Sequence, residues 1–237
     1  MLIANKYTYT PLSRQTQEGK RVYLTPDGEK LASVTTILDK TAPADKKIAL
    51  TNWRNRVGVQ KAQEISTESA ARGTRMHKFL EDFVLTGELK DPGSNPYSKQ
   101  SHAMAYSIIK QGLVNVNEVW GVEVPLYYPG LYAGTTDACG LHLNDESILD
   151  YKQTNKPKKE EWIQDYFLQL AAYALAHNKV YGSNIRKGVV LMCVKPQDSA
   201  TGTDVPVYQE FILSSDKFDY WADCWWTRVE TYYRFHA

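Results

Sequence analysis

Cysteine is scarce in this 237-residue chain, and Cys139, Cys193 and Cys224 are odd in number and far apart. That spacing builds neither a disulfide framework nor a CxxC metal site, so buried free thiols and a reducing compartment are expected. Long apolar runs are missing too. No stretch approaches the roughly 20 residues of a membrane-spanning helix. The opening "MLIANKYTYTPLSRQ" is too polar for a secretory signal, and no membrane partner is expected. Nor is there charge of one sign: 28 Lys and Arg balance 27 Asp and Glu, for a net charge of +1. Bulk electrostatics therefore announce no nucleic-acid binder, although a locally basic face remains compatible with that balance. The five histidines offer no HExxH or HxH spacing, which argues against a His-rich metal hydrolase. No internal repeat, low-complexity tract or linker divides the chain.

What is abundant is aromatic surface, 16 tyrosines and six tryptophans, side chains with a flat face and a polar tip. "RVYLTPDGEKLASV" alternates around Pro26-Asp27-Gly28 and predicts a hairpin. Ser33 then caps a short helix, "VTTILDK". Helical spacing runs from Asp45 to Gln63, and a further helix is expected from near Thr67 to Gly87. "SKQSHAMAYSIIKQGL" reads as another helix closed by Gly112. The periodicity then changes. "EVWGVEVPLYY", "LYAGTTDACGLHL" and "SILDYK" predict an antiparallel meander. A long helix through "WIQDYFLQLAAYALAHNK", strands "GVVLMCV" and "VPVYQEFIL", and an aromatic helix capped by Ser214 or Ser215 complete the expectation. The reading is one α/β domain over residues 1–237. Residues 1–66 form a hairpin and helical elaboration, and residues 67–237 form a core with a C-terminal helix.

Asp137 and Asp150 fall near the ends of neighbouring predicted strands. Two close carboxylates repel unless a cation neutralises them, and hard divalent ions such as Mg²⁺ or Mn²⁺ take oxygen ligands. Period two sends Asp150 and Lys152 to one face, where an ammonium beside such a site can orient water or stabilise charge. Alone, Asp-x-Lys is a common surface pair. Glu123 on the preceding strand extends the acidic set. His77 and Glu81 share one helical face, as do Gln169 and Tyr173.

In order along the chain stand Arg72-Gly73-Thr74-Arg75-Met76-His77, Glu123, Gly134 to Asp137, Asp150 to Lys152, and Gln169 to Tyr173. This set, across roughly residues 67–180, resembles the RecB-type branch of the PD-(D/E)XK nucleases. With "LASVTTILDKT", "NWRNRVG" and "DYKQTNKPKK" added, it is similar to the single-strand exonucleases of mitochondrial genome maintenance and their phage relatives. The resemblance implies a restriction-endonuclease-like core, a central mixed β-sheet flanked by helices. It implies a deoxyribonuclease using one or two Mg²⁺ or Mn²⁺ ions on single-stranded DNA or single-stranded ends. Asp137, Asp150 and His77 would be ligands, with a backbone oxygen from Tyr151. Lys152 would activate the attacking water, assisted by Glu123, while Gln169 and Tyr173 shape the site and Glu81 supports it. Arg72, Thr74 and Arg75 are expected to touch DNA, as are Lys156, Lys158 and Lys159 just past the catalytic strand.

Some members of the family bind an iron–sulfur cluster through four cysteines. Three dispersed ones predict none here. Replication or recombination proteins are the partners this reading implies, in a bacterial or phage-infected host cytoplasm. Two alternatives stay open: a flap- or junction-selective endonuclease of the same fold, and a catalytically silent nuclease-like DNA-binding module.

Overall fold

A computed structural model describes residues 2–17, 20–196 and 205–236. Among them, nine strands form one mixed sheet with α-helices on both faces. After β1 (Leu2–Ile3) and β2 (Ser13–Gln17), the expected hairpin joins β3 (Lys20–Leu24) to β4 (Lys30–Ser33). Gly28, at φ +84°, supplies the turn. Ser33 caps α1 (Val34–Lys40), its Oγ accepting the Thr36 N–H at 3.0 Å. β4 runs parallel to β6, so the N-terminal region extends the central sheet as well as adding helices.

The predicted helix over 45–63 is interrupted. α2 (Ala44–Val57) ends at Gly58, whose φ of +86° breaks the helix, and α3 (Val59–Thr86) starts immediately after it. Thr67 therefore sits inside α3 rather than at its start. The neighbouring Ser66 hydroxyl bonds back to the Ala62 carbonyl at 2.8 Å, the mid-helix alternative to capping. Gly87 ends α3 as expected, in the left-handed region. Asn95 caps α4 (Pro96–Gln111), accepting the Tyr97 and Ser98 N–H groups, with proline at the first helical position.

The meander forms as predicted: β5 (Val116–Tyr128), β6 (Tyr132–His142) and β7 (Asp145–Thr154) are antiparallel neighbours. α5 (Gln164–Tyr181) then leads to β8 (Lys187–Val194), parallel to β7. β9 (Val207–Leu213) is antiparallel to β8, and α6 (Phe218–Phe235) closes the described chain. Ser214 and Ser215 do not cap α6. Lys217 holds that position without a side-chain cap, because its N–H closes a turn on the Ser214 carbonyl.

α1, α5 and α6 pack on one face of the sheet around Trp225, Phe167 and Tyr132. α3 and α4 cover the other through Met76, Leu80, Met104 and Ile108. Cys139 and Cys193 are buried free thiols, and Cys224 is half-buried and free. Among the described residues no helix is long and apolar enough to cross a membrane.

The N-terminal segment is anchored on His177 of α5. The imidazole is fully buried, bonded to Tyr9 Oη at 3.1 Å and Ser183 Oγ at 2.6 Å, with the Tyr7 ring 4.8 Å away. Burial pushes its pKa down to about 4. Below pH ~6.5 the unfolded chain takes up a proton that the folded chain refuses, so stability falls as pH drops from there toward 4. The expected loss is on the order of 3 kcal/mol. Denaturant midpoints at pH 7.5 and 4.5 should diverge in the wild type and diverge less in His177→Gln.

Candidate active site

The site forms where the sheet forks. The β6–β7 ladder ends at Ala138 opposite Leu149. Beyond that pair β6 continues along β5 and β4, while β7 continues along β8. Asp137 and Asp150 are the next residues into the opening. Both are mid-strand rather than at strand ends, and both are buried, at 9% and 3% exposure. Strand separation also frees a backbone donor, which Asp137 takes: its Oδ2 accepts the Tyr151 N–H at 2.5 Å. Oδ1 lies 2.9 Å from His77 Nδ1, which α3 brings over the sheet.

Glu123 reaches the same point from β5. It adopts φ +50°, a left-handed conformation rare for a non-glycine residue inside a strand. Strain of that kind persists only where surrounding contacts enforce it, and it clusters at functional sites. One donor atom from each of His77, Glu123 and Asp137 lies within 4.8 Å of the others. Two carboxylates and an imidazole suit a hard or borderline divalent cation, so the residues present fit the metal that the motif order implied. Asp150 stands outside this group. Its Oδ2 forms an ion pair with Lys152 Nζ, and the Lys152 ammonium also lies 5.2 Å from the Tyr166 ring centroid.

The electrostatics separate the two aspartates. Burial pushes both carboxyls up. For Asp137 the His77 ring, Lys152 and the Tyr151 N–H outweigh burial and hold it below the usual carboxylate range. For Asp150 burial prevails with help from Asp137, despite Lys152, and its pKa is raised. Burial and then Asp137 also raise Glu123. Burial would lower the Lys152 ammonium, but Asp150 and Asp137 overcome it and keep the group charged.

His77, Glu123 and Asp137 open into a cleft of ≈ 530 Å³ whose lining also includes Glu81, Gln169 and Tyr173, whereas Asp150 and Lys152 are not among its lining residues. Gln169 Nε2 donates to Tyr173 Oη at 3.1 Å. Gly134 is explained by the same tyrosine: a Cβ there would meet Tyr173 Cε1 at 2.6 Å and its hydroxyl at 2.9 Å. Gly134→Ala is therefore expected to displace a buried ring and cost about 1–3 kcal/mol. Thermal unfolding measures this, and Tyr173→Leu in the same background should restore part of the loss.

The predicted DNA-contacting residues are scattered. Thr74 is exposed and lines the cleft. Arg75 points elsewhere, bonding Ser101 Oγ at 3.3 Å and lying over the Tyr97 ring. Arg72 is 1% exposed and spends its donors inside the protein. Lys156, Lys158 and Lys159 are not among the cleft-lining residues. Lys158 is half-buried, its backbone N–H donating to Gln209 Oε1, and Lys159 lies over the exposed Trp162 ring. Sequence reasoning missed Arg14 and Lys78, which line the cleft, and Tyr166 beside Lys152. Tyr166 and Lys78 had a helical-face signal, each lying three residues before a predicted site residue, Gln169 and Glu81 respectively. Arg14 had none, since only the β4–β6 pairing brings its hairpin here.

No family model matches the chain. It is 26% identical over 216 residues to mitochondrial genome maintenance exonuclease 1 of Xenopus tropicalis, across 85% of this chain and 57% of that protein. The protein of the same name from Mus musculus is 24% identical over 212 residues, across 85% and 59%. The similarity thus runs along most of this chain, which spans under two thirds of the length of these curated relatives.

Proposed function

We propose that this chain is a Mg²⁺- or Mn²⁺-dependent DNA exonuclease of the RecB-type PD-(D/E)XK class, preferring single strands or single-stranded ends. The observation that carries this reading is the convergence of His77, Glu123 and Asp137 within 4.8 Å beside the Asp150–Lys152 pair. Two distant relatives named as exonucleases support it. So does the α/β architecture, with its mixed sheet between helices.

In this reading His77, Glu123 and Asp137 hold the metal. When bound, it supplies a water of lowered pKa and neutralises charge on a phosphate oxygen. The chain's own groups do the positioning. The Tyr151 N–H and His77 fix the two oxygens of Asp137, so the carboxylate cannot rotate away. Asp150 holds the Lys152 ammonium in the site, where Nζ can donate to the attacking water or to the developing negative charge. Gln169 and Tyr173, locked to each other, shape the wall along which the strand lies.

Linear and circular single-stranded DNA, each with Mg²⁺, Mn²⁺ or EDTA, test the proposal. Linear strands should be degraded only with metal, and circles should survive. Intact linear DNA after incubation with folded, metal-binding protein contradicts nuclease activity. Cut circles transfer the reading to the endonuclease alternative.

A further inference from the structure

Beside the cleft lies a second space of ≈ 390 Å³, and Thr35 and Gln169 line both. The chemistry of its walls differs from that of the metal site. Leu38, Leu50 and Tyr166 present apolar and aromatic surface, Lys46 and Lys47 bring ammonium groups, and Asp39 and Asp165 bring carboxylates. Tyr166 lines this space and is also the ring near Lys152, so one side chain connects the space to the proposed catalytic lysine. Lys46 is held there by an ion pair with Asp165, and Lys47 Nζ donates to the Lys40 carbonyl at 3.3 Å.

The helix that supplies Leu50 and both lysines is unusual in its packing. α2 buries none of its residues, and Ile48 and Leu50 are 59% and 47% exposed. Most protein helices draw their stability from a buried apolar face, which α2 lacks. Its exposed apolar side chains, Ile48 and Leu50, are thus available to something other than the fold, with Lys47 beside them on the same helix. Aromatic and aliphatic walls with cations at hand are what an unpaired nucleotide requires, a flat base beside a negatively charged phosphate.

Resting on the nuclease reading above, we infer that this space is the subsite for the unpaired nucleotide next to the scissile phosphate. The base packs against Tyr166 and Leu50, and the flanking phosphate meets Lys47. Two consequences follow. A base paired in a duplex cannot present its face to this space, so the subsite itself selects single strands. Because stacking ignores base identity, the selection is independent of sequence.

The test uses short single-stranded oligonucleotides with one abasic residue stepped along the strand. Affinity is measured in EDTA by fluorescence anisotropy, and cut positions and KM are measured with Mn²⁺. An abasic residue placed beside the cut should raise KM and Kd roughly tenfold, and elsewhere by much less. Leu50→Ser and Lys47→Ala, at exposed positions, should weaken binding of the intact strand with unchanged circular dichroism. Leu50→Ser should also reduce the abasic penalty, because only the Tyr166 face then remains for the base. Equal affinity for intact and abasic strands at every position overturns the subsite while metal-dependent cleavage still stands. Loss of all metal-dependent cleavage in the wild type removes both readings.

Discussion

Asp137→Asn is expected to lower single-strand cleavage roughly 10³-fold or more, because it removes charge at the proposed metal centre. Asparagine keeps the volume and leaves an oxygen for the Tyr151 N–H, so the fork in the sheet should survive. Its effect on stability should run in the same sense as its effect on rate, though it should be far smaller. Asp137 is buried and raises the neighbouring Asp150 carboxyl, but its own carboxylate is held below the usual range by His77, Lys152 and the Tyr151 N–H, so its charge stabilises the folded chain. Removing that charge forfeits its contribution and leaves His77 and Lys152 less well paired, so the unfolding midpoint near pH 7 should fall. DNA affinity in EDTA should instead hold or tighten, since one negative charge has left a cleft proposed to bind phosphate. Digestion of end-labelled DNA and thermal unfolding of the same sample give both numbers. Cleavage near the wild-type rate would exclude Asp137 from the centre.

Arg72→Ala should cost about 3–5 kcal/mol of stability, the usual loss when one partner is removed from a buried charged network. Arg72 lies in α3, one helical turn and a half before His77. Its Nε donates to Gln153 Oε1 at 2.8 Å, and its terminal nitrogens reach Glu68 and Ser69 at 3.1 Å and also Asn155. Gln153 in turn donates to the Ser69 carbonyl at 2.9 Å. The guanidinium therefore ties the helix carrying His77 to the end of the strand carrying Asp150 and Lys152. Lysine cannot span that fork of acceptors, so Arg72→Lys should recover only part of the loss. Urea unfolding checks this: both variants should shift the midpoint with little change in slope. An alanine variant as stable as the wild type would show that the network contributes nothing.

What the sequence made legible was local or ordered along the chain. The meander, the long α5, the Ser33 cap and the Gly87 stop follow from periodicity and from residues whose conformational preferences are strong. The placement of Lys152 beside Asp150 follows from the two-residue period of a strand. What was hidden depends on distant partners. The left-handed Glu123 has no local signature, because glutamate is placed there by its neighbours rather than by its own preference. Arg72 looked like a surface cation until Gln153 and Asn155, far along the chain, enclosed it. The split of the expected acidic pair, with Asp137 toward His77 and Asp150 toward Lys152, arises from the end of the β6–β7 ladder. Gly58 was passed over because one glycine in a helical pattern does not reveal its φ.

The central claim is that the Asp137 centre and Lys152 together hydrolyse DNA. The most direct test follows release of label from 5′- and 3′-labelled linear single strands in Mn²⁺, with wild type and Lys152→Ala compared side by side at matched DNA occupancy. The wild type should release label progressively from an end, and Lys152→Ala should bind the strand and leave it intact. A wild type that leaves the strand whole, or a Lys152→Ala variant that cuts as fast, contradicts the account.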